Sequence, residues 1–142
     1  MVALTSQHFD VVVVGGGPAG YASALYGASA GLQIALIEKS KLGGTCLNVG
    51  CIPAKELLET ATVARTVQHA GDFGVTVDVD KMTLDWSKTL TRKQGIIDQL
   101  VGGLSGLLKG RKVTVFDGVG TLGADHSTVS ISGGESLSLI HI

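Results

Sequence analysis

The chain lacks an excess of either charge. Across its 142 residues, 11 lysines and arginines face 12 aspartates and glutamates, which gives a formal net charge of −1. Because nucleic acids and anionic membranes attract basic surfaces, neither is expected as a partner. Aromatic residues are also scarce, at 4%, whereas glycine occurs 21 times. This composition suits tight turns and close packing of helices on a sheet within one domain.

Charged side chains are absent from residues 11–37, which raises the question of a membrane span or a signal peptide. No lysine or arginine occurs in residues 1–9, where a signal peptide would need one. Residues 15–18 interrupt the uncharged run, whereas a transmembrane helix needs ~20 continuous apolar residues. We therefore expect neither segment. A cytoplasmic, reducing location follows as an expectation, and there a cysteine pair is more often catalytic or metal-binding than structural.

Hydrophobic patterning predicts an α/β fold built around a parallel sheet. The β-branched run in residues 8–14 predicts a central strand covered on both faces. A helix over residues 18–30, ended by Gly31, and a strand over residues 32–37 complete a β-α-β unit. Beyond this unit we predict a helix over residues 48–70, which Gly71 ends, then an extended segment over 73–79 and a loop over 80–83. A long helix should follow over residues 86–109, with Asp85 as its N-cap. The last predicted element is a β-meander of three strands, over residues 112–116, 118–122 and 128–132.

Helical spacing also predicts which faces are buried. The helix over residues 48–70 should bury Ala54, Leu57, Leu58 and Ala61, with the stem of Arg65 at the border. The long helix should bury Ile97, Leu100, Val101, Leu104 and Leu108. Its glycines at 102, 106 and 110 weaken the helix but should allow another backbone to approach closely. The last segment, residues 135–142 (ESLSLIHI), matches no expected element.

A dinucleotide signature, GxGxxG, occupies Gly15, Gly17 and Gly20. Gly15 permits the tight turn after the strand, Gly17 allows close approach of a pyrophosphate, and Gly20 lets the helix pack closely on the strand. The helix N-terminus offers free N–H groups to phosphates. Glu38 ends the next strand, where an acidic residue binds a ribose hydroxyl pair. The motif predicts a dinucleotide site without separating FAD from NAD; a glycine-rich turn with no ligand is the alternative.

The only two cysteines, Cys46 and Cys51, lie five positions apart. A zinc site needs about four ligands, and the four histidines are scattered. Inert, packed thiols are a second possibility. We favour a redox pair, because Gly50 should relieve crowding between the sulfurs and a helix N-terminus stabilises a thiolate. Lys55, one turn after Cys51, adds positive charge, although a solvated surface lysine is its plainer interpretation.

The segment GGTCLNVGCIPAK, together with GGGPAG and IEK, closely resembles the pyridine nucleotide-disulfide oxidoreductases. Within them it is most similar to the dihydrolipoamide dehydrogenases, while glutathione and mercuric reductases carry close variants. The resemblance covers residues 8–133 and implies a Rossmann-like FAD-binding fold with a redox helix. It implies FAD contacts at Gly15, Gly17, Pro18, Ala19, Gly20, Glu38, Lys39, Gly43, Gly44, Thr45, Cys46, Gly50, Cys51, Lys55, Gly118 and Gly120.

The resemblance also assigns roles. Cys46 would exchange with a dithiol substrate, Cys51 would contact the flavin, Lys55 would lie near its reactive edge, and Gly118 or Gly120 would lie by the adenine. The implied partners are NAD, a second subunit in a homodimer, and dihydrolipoamide on the acyltransferase subunits of 2-oxoacid dehydrogenase complexes. No metal is implied.

The sequence departs from the family pattern by what it does not contain. It has no second GxGxxG for NAD, no returning half of the FAD domain and no C-terminal His–Glu pair. We therefore interpret residues 1–134 as the N-terminal part of an FAD-binding domain, an incomplete domain that is inactive by itself, and residues 135–142 as an anomalous tail left by truncation. A fragment of a mercuric or glutathione reductase, a stand-alone FAD-binding module, and a β-α-β domain without redox function stay open as alternatives.

Overall fold

Helices and strands alternate along the chain, as the hydrophobic pattern predicts. The computed structural model describes residues 7–132 and 136–139. In order, its strands and helices are β1 (Gln7–Phe9), β2 (Val11–Val14), α1 (Pro18–Ser29), β3 (Ile34–Glu38), α2 (Gly44–Asn48), α3 (Cys51–Gln68), α4 (Trp86–Gly110), β4 (Thr114–Asp117), β5 (Gly120–Leu122), β6 (Thr128–Ile131) and β7 (Ser136–Leu139). The predicted α/β class, with a Rossmann-like parallel sheet and flanking helices, is confirmed.

The parallel sheet has three strands in the order β2-β3-β4. Its centre is β3, in which Ile34, Ala35, Leu36 and Ile37 are all buried. The prediction that residues 8–14 form the central strand is wrong for the described part, where β2 pairs only with β3 and Val14 is 57% exposed. A run of valines indicates a strand, but the neighbours that cover it come from elsewhere in the chain.

The second sheet has the order β1-β7-β6-β5, with β1 parallel to β7 and the other pairs antiparallel. The single strand predicted over residues 8–14 is therefore two strands in two sheets. The chain bends between them at Asp10, whose carboxylate accepts a hydrogen bond from the Gln33 backbone at 2.7 Å. The predicted meander is wrong in its first member, because β4 pairs in parallel with β3. The meander consists of β5, β6 and β7.

The tail prediction is wrong for Ser136–Leu139, which form β7 between β1 and β6. The segment SLSL alternates serine with leucine, and this period of two is typical of a strand. Residue 135 and residues 140–142 lie outside the described residues. The domain division at residue 134 and the truncation stay predictions.

The cysteine segment forms two helices where the sequence predicted one. Helix α2 ends at Asn48, Val49 and Gly50 separate the helices, and α3 begins at Cys51. The Asn48 amide donates hydrogen bonds to the carbonyls of Leu42 at 3.0 Å and Gly44 at 2.9 Å, which holds α2 against the preceding loop. A side chain bonded locally in this way competes with continuation of the helix.

The connection from α3 to α4 also departs from the prediction. Helix α3 ends at Gln68, before the expected stop at Gly71, and a 3-10 turn follows at Ala70–Phe73. The residues predicted as extended, 73–79, contain no strand, and a second 3-10 turn at Val79–Lys81 occupies part of the predicted loop.

Helix α4 packs across the parallel sheet and forms one wall of the candidate site. It begins after Asp85, whose carboxylate accepts a hydrogen bond from the Lys88 backbone at 3.0 Å, so the predicted cap is confirmed. Ile97, Leu104 and Leu108 are buried, and the last two pack with residues of α1 and β3. The predicted burial is wrong for Leu100, which is exposed, and Val101 is only half-buried.

Two packing predictions are wrong. A Cβ added at Gly102, Gly106 or Gly110 would meet no atom within 4 Å, so no backbone of the described part approaches this stripe. On α3, the predicted apolar residues Ala54, Leu58 and Ala61 are exposed. The helix is instead tied to α4 through an ion pair between Glu56 and Arg92, a contact that hydrophobic spacing does not report.

No helix in residues 7–132 has both the length and the apolar character that spanning a membrane requires.

Candidate dinucleotide and dithiol site

A tight turn joins β2 to α1. Gly15 adopts a φ of +104°, a conformation that favours glycine, and its N–H donates to the Ile37 carbonyl at 2.7 Å. Gly20 lies directly against this turn: a Cβ added there would come within 1.8 Å of the Gly15 carbonyl oxygen. Both glycines therefore have the structural tasks that the signature predicts. Helix α1 begins at Pro18 with Gly17 as its N-cap, and no side chain caps it.

The cysteine loop touches the glycine loop backbone to backbone. The Gly43 N–H donates to the Gly16 carbonyl at 2.8 Å, and Gly43 and Gly44 adopt φ values of +91° and +56°. A Cβ added at Gly44 would come within 2.8 Å of Gly17 Cα. Because neither loop has side chains at this contact, the segment that carries Cys46 is held beside the N-terminus of α1.

Glu38 links three segments. Its Oε2 accepts from the Gly16 N–H at 2.7 Å, its Oε1 accepts from the Ser40 N–H at 2.9 Å, and its backbone carbonyl accepts from the Gly118 N–H at 2.9 Å. Each carboxylate oxygen has two lone pairs. Both oxygens can therefore still accept a hydrogen bond from a hydroxyl group, as binding of a ribose requires.

These loops enclose a groove of about 840 Å³. Its lining includes the predicted residues Gly17, Pro18, Glu38, Lys39, Gly44 and Thr45. It also includes Ser40, Lys41, Asn48 and Val49, and from α4 Lys93, Gln94 and Ile97. Sequence reasoning missed this second group. Asn48 stands inside the cysteine motif, which could have singled it out, whereas no local signal separates Lys93 from other helix lysines.

A smaller cavity of about 240 Å³ adjoins the groove and shares Glu38 and Lys39 with it. Gly15, Gly118 and Gly120 are among its other lining residues. Gly118 adopts a φ of +150°, and a Cβ added at Gly120 would come within 3.0 Å of Ile37 Cδ1. The structure therefore brings these two glycines to Glu38, although they follow β4 rather than occupying a meander turn.

The two cysteines are unbridged thiols beside the groove but outside its lining. Cys46 lies in α2 and is half-buried; Cys51 is the first residue of α3 and is exposed. A Cβ added at Gly50 would meet the Thr45 carbonyl oxygen at 3.0 Å, so this glycine lets α3 start close to the end of α2. Its role in relieving crowding between the sulfurs stays a prediction.

The pKa of the Cys46 thiol is raised above the ordinary value for cysteine. The principal cause is hydrogen bonding with the Cys51 thiol, followed by burial and by repulsion from the Cys51 charge. The backbone N–H of Cys51 and the positive charge of Lys55 act in the opposite direction and do not offset these causes. These causes of the pKa shift indicate that the Cys51 thiol is close to the Cys46 thiol and that Lys55 is near enough to favour the Cys46 thiolate.

This environment predicts how fast Cys46 is alkylated. Because a raised pKa leaves less thiolate at neutral pH, Cys46 should react with iodoacetamide more slowly than an ordinary thiol, and its rate should keep rising above the pH at which an ordinary thiol reaches its plateau. Cys51→Ala removes the main cause, so it should shift the profile of Cys46 to lower pH; Lys55→Gln should shift it to higher pH. Mass spectrometry of the alkylated peptide measures each rate, with Lys109→Gln as the charge-matched control. Identical profiles in wild type and Cys51→Ala would contradict the contact between the sulfurs.

Comparison with known proteins shows similarity to members of one enzyme family. A family model described as pyridine nucleotide-disulphide oxidoreductase matches residues 9–138. A dihydrolipoyl dehydrogenase of Bacillus subtilis (strain 168) is 47% identical over 108 residues, which are 76% of this chain and 24% of that protein. One of Acholeplasma laidlawii is 42% identical over 132 residues, 93% of this chain and 38% of that protein. A dihydrolipoyl dehydrogenase of Chlamydia trachomatis serovar D is 44% identical over 117 residues, which are 82% of this chain and 25% of that protein. The chain spans well under half the length of these relatives.

Proposed function

The chain belongs to the pyridine nucleotide-disulphide oxidoreductase family, and from this premise we propose that it supplies part of the FAD site and the exchanging dithiol of a dihydrolipoyl dehydrogenase. The observation that carries the proposal is the contact between two glycine loops. Through the Gly43–Gly16 hydrogen bond and the close approach of Gly44 to Gly17, the cysteine loop is fixed against the dinucleotide turn. A nucleotide groove and a pair of thiols are thereby neighbours.

The residues fit FAD. The pyrophosphate would lie at the loop from Gly15 to Gly20, where a side chain on Gly20 or Gly44 would collide with backbone and the N–H groups at the start of α1 are free. Glu38 would hold the ribose hydroxyls of the adenosine, with Gly118 and Gly120 by the adenine. The flavin side would be lined by Gly43, Gly44, Thr45 and Cys46, with Lys55 near its reactive edge.

When bound, the flavin supplies two-electron redox chemistry; the thiol chemistry belongs to the chain. In the oxidised chain, a substrate thiolate attacks the Cys46 sulfur, the Cys46–Cys51 bond breaks, and a mixed disulfide with Cys46 forms. The second substrate thiol then displaces the Cys46 sulfur. The substrate leaves as a cyclic disulfide, and both cysteines become thiols after taking up two protons and two electrons. The Cys51 sulfur, on the first residue of α3, is the group that departs in the first step.

The finer assignments are part of the same proposal. The printed names of the relatives support dihydrolipoyl groups as substrate. NAD as final acceptor, a homodimer, and docking to the acyltransferase subunits of 2-oxoacid dehydrogenase complexes follow from membership of the family. A cytoplasmic location is also part of the proposal, because a cysteine pair in a reducing compartment is more often catalytic than structural.

FAD binding tests the proposal. We expect the chain to be purified without stoichiometric FAD, because β2 leaves an open edge with Val11 and Val14 exposed, and to take up added FAD saturably in equilibrium dialysis. ADP should compete, since it occupies the Glu38 end. Glu38→Gln should weaken binding about tenfold or more, the usual loss for a charged hydrogen-bonding partner. Glu59→Gln, on the exposed side of α3, is the control.

Two results would count against the proposal. Non-saturable uptake of FAD by the wild-type chain would exclude a built site. Equal affinity of the Glu38→Gln and Glu59→Gln variants would exclude the predicted orientation, with the adenosine at Glu38.

A further inference from the structure

The groove contains a lysine that the cofactor-binding signature does not include. Lys93 extends from α4, on the wall formed by that helix, whereas Lys39 and Lys41 come from the loop after β3. Lys39 and Lys41 are exposed, and Lys93 is half-buried. Ile97, one helical turn further on the same face, is 3% exposed and anchors this part of α4. Lys93 is therefore the lysine of the groove whose backbone is most firmly placed.

No carboxylate within the described residues forms an ion pair with Lys93. The one carboxylate in the lining is Glu38, which accepts hydrogen bonds from the Gly16 and Ser40 backbones and forms no ion pair with Lys93. The neighbouring Gln94 is also engaged, since its amide donates to the Asp98 carboxylate at 2.9 Å. The Lys93 ammonium is therefore available to pair with an anion that enters the groove. The groove thus offers positive charge to an anionic ligand.

A glycine-rich wall of the groove offers further positive charge. It consists of Gly17, Pro18 and Gly44, where the Pro18 ring is the only side chain, and the uncapped N–H groups of the first turn of α1 lie beside it. These groups carry about half a positive charge. A pyrophosphate linkage carries two negative charges, so this wall neutralises only part of them. A cation in the lining of the same groove would add to the neutralisation.

We propose that Lys93 is a positioning residue that holds the pyrophosphate of FAD from the α4 side of the groove. The inference rests on the proposed FAD site and adds to it a residue outside the GxGxxG and cysteine motifs. Its ammonium group pairs with phosphate oxygens, while its apolar stem packs on α4. Because Lys93 acts on the phosphates, it should raise affinity for ligands that contain them and leave the affinity for riboflavin unchanged.

Dialysis with FAD, ADP and riboflavin tests the inference in the complete 142-residue chain. Lys93→Gln should weaken FAD and ADP binding about tenfold, as expected for loss of a charge-assisted hydrogen bond, and should reduce the salt dependence of that binding. Riboflavin binding should not change. Lys93→Arg should retain most of the affinity. Lys88→Gln removes the same charge from the same helix but at an exposed residue outside the groove, so it should bind FAD as the wild type does.

The outcomes separate the inference from the proposed function. Wild-type chain that binds no FAD would overturn both. Wild-type chain that binds FAD, with Lys93→Gln equal to Lys88→Gln, would overturn the role of Lys93 and leave the FAD site intact. Circular dichroism checks the fold of each variant. If Lys93→Gln does not fold, Lys93→Met, which keeps the length of the apolar stem, takes its place, and unchanged FAD affinity in that variant would equally overturn the inference.

Discussion

Replacing Gly20 by alanine should abolish FAD binding and cost the chain ~3 kcal/mol of unfolding free energy, at the upper end of the usual cost of overpacking. The added Cβ would come within 1.8 Å of the Gly15 carbonyl oxygen, and that oxygen is part of the backbone. It can move only if the turn between β2 and α1 moves with it. The displaced turn would also disturb the loop contact through Gly16 and Gly43. Urea unfolding and FAD dialysis measure the two effects.

Gly102→Ala is the matched control for this prediction. Gly102 lies inside α4, where an added Cβ meets nothing within 4 Å. Alanine is a better helix former than glycine, so this variant should gain about 0.5–1 kcal/mol and bind FAD normally. A Gly20→Ala chain as stable as the wild type, with FAD affinity intact, would show that the turn lacks the close packing described here.

Replacing either cysteine by serine should abolish formation of the internal disulfide completely. With oxidised glutathione, one thiol of the wild-type chain first forms a mixed disulfide and releases one glutathione. The second thiol then displaces the other glutathione and closes the Cys46–Cys51 bond. In Cys46→Ser or Cys51→Ser no second thiol is present in the chain. The variants should therefore stop at the glutathione adduct, whereas the wild type proceeds to an internal disulfide.

Intact mass measures the product of each reaction. The wild type should lose two hydrogen atoms, and each variant should gain one glutathione. The pattern depends on the contact between the thiols that raises the pKa of Cys46. Wild-type chain that accumulates two glutathiones, or that crosslinks between chains, would place the thiols too far apart for an internal bond.

Local sequence signals predicted the segments whose structure is decided locally. Gly15 and Gly20 have the positive φ and the close packing that the signature requires, and Asp85 caps α4 because its carboxylate reaches a backbone N–H three residues away. Pairing between distant segments could not be predicted in the same way. The valines of β2 look the same at the centre or at the edge of a sheet, and β4 could equally have joined either sheet.

The residues of the candidate site divide in the same way, into those that local sequence signals identify and those that only the fold brings together. Glycines, cysteines and Glu38 were recognisable because motif spacing ties each to a particular chemistry. Lys93 was not, because it is 42 positions after Cys51 along the chain, and only the packing of α4 brings it to the groove. The role of the glycine stripe in α4 was predicted wrongly, since a glycine reveals that space is needed or tolerated but not which atom occupies it.

The central claim is that Cys46 and Cys51 form a dithiol that exchanges with a dithiol substrate. The most direct measurement is the intact mass of the reduced chain after incubation with excess lipoamide, the cyclic disulfide, at mildly alkaline pH, where the raised pKa of Cys46 still permits a thiolate. The account predicts a loss of two hydrogen atoms from the chain, a Cys46–Cys51 bond located by peptide mapping, and the release of one dihydrolipoamide per chain. Two thiols that remain free and open to alkylation at every lipoamide concentration would contradict it.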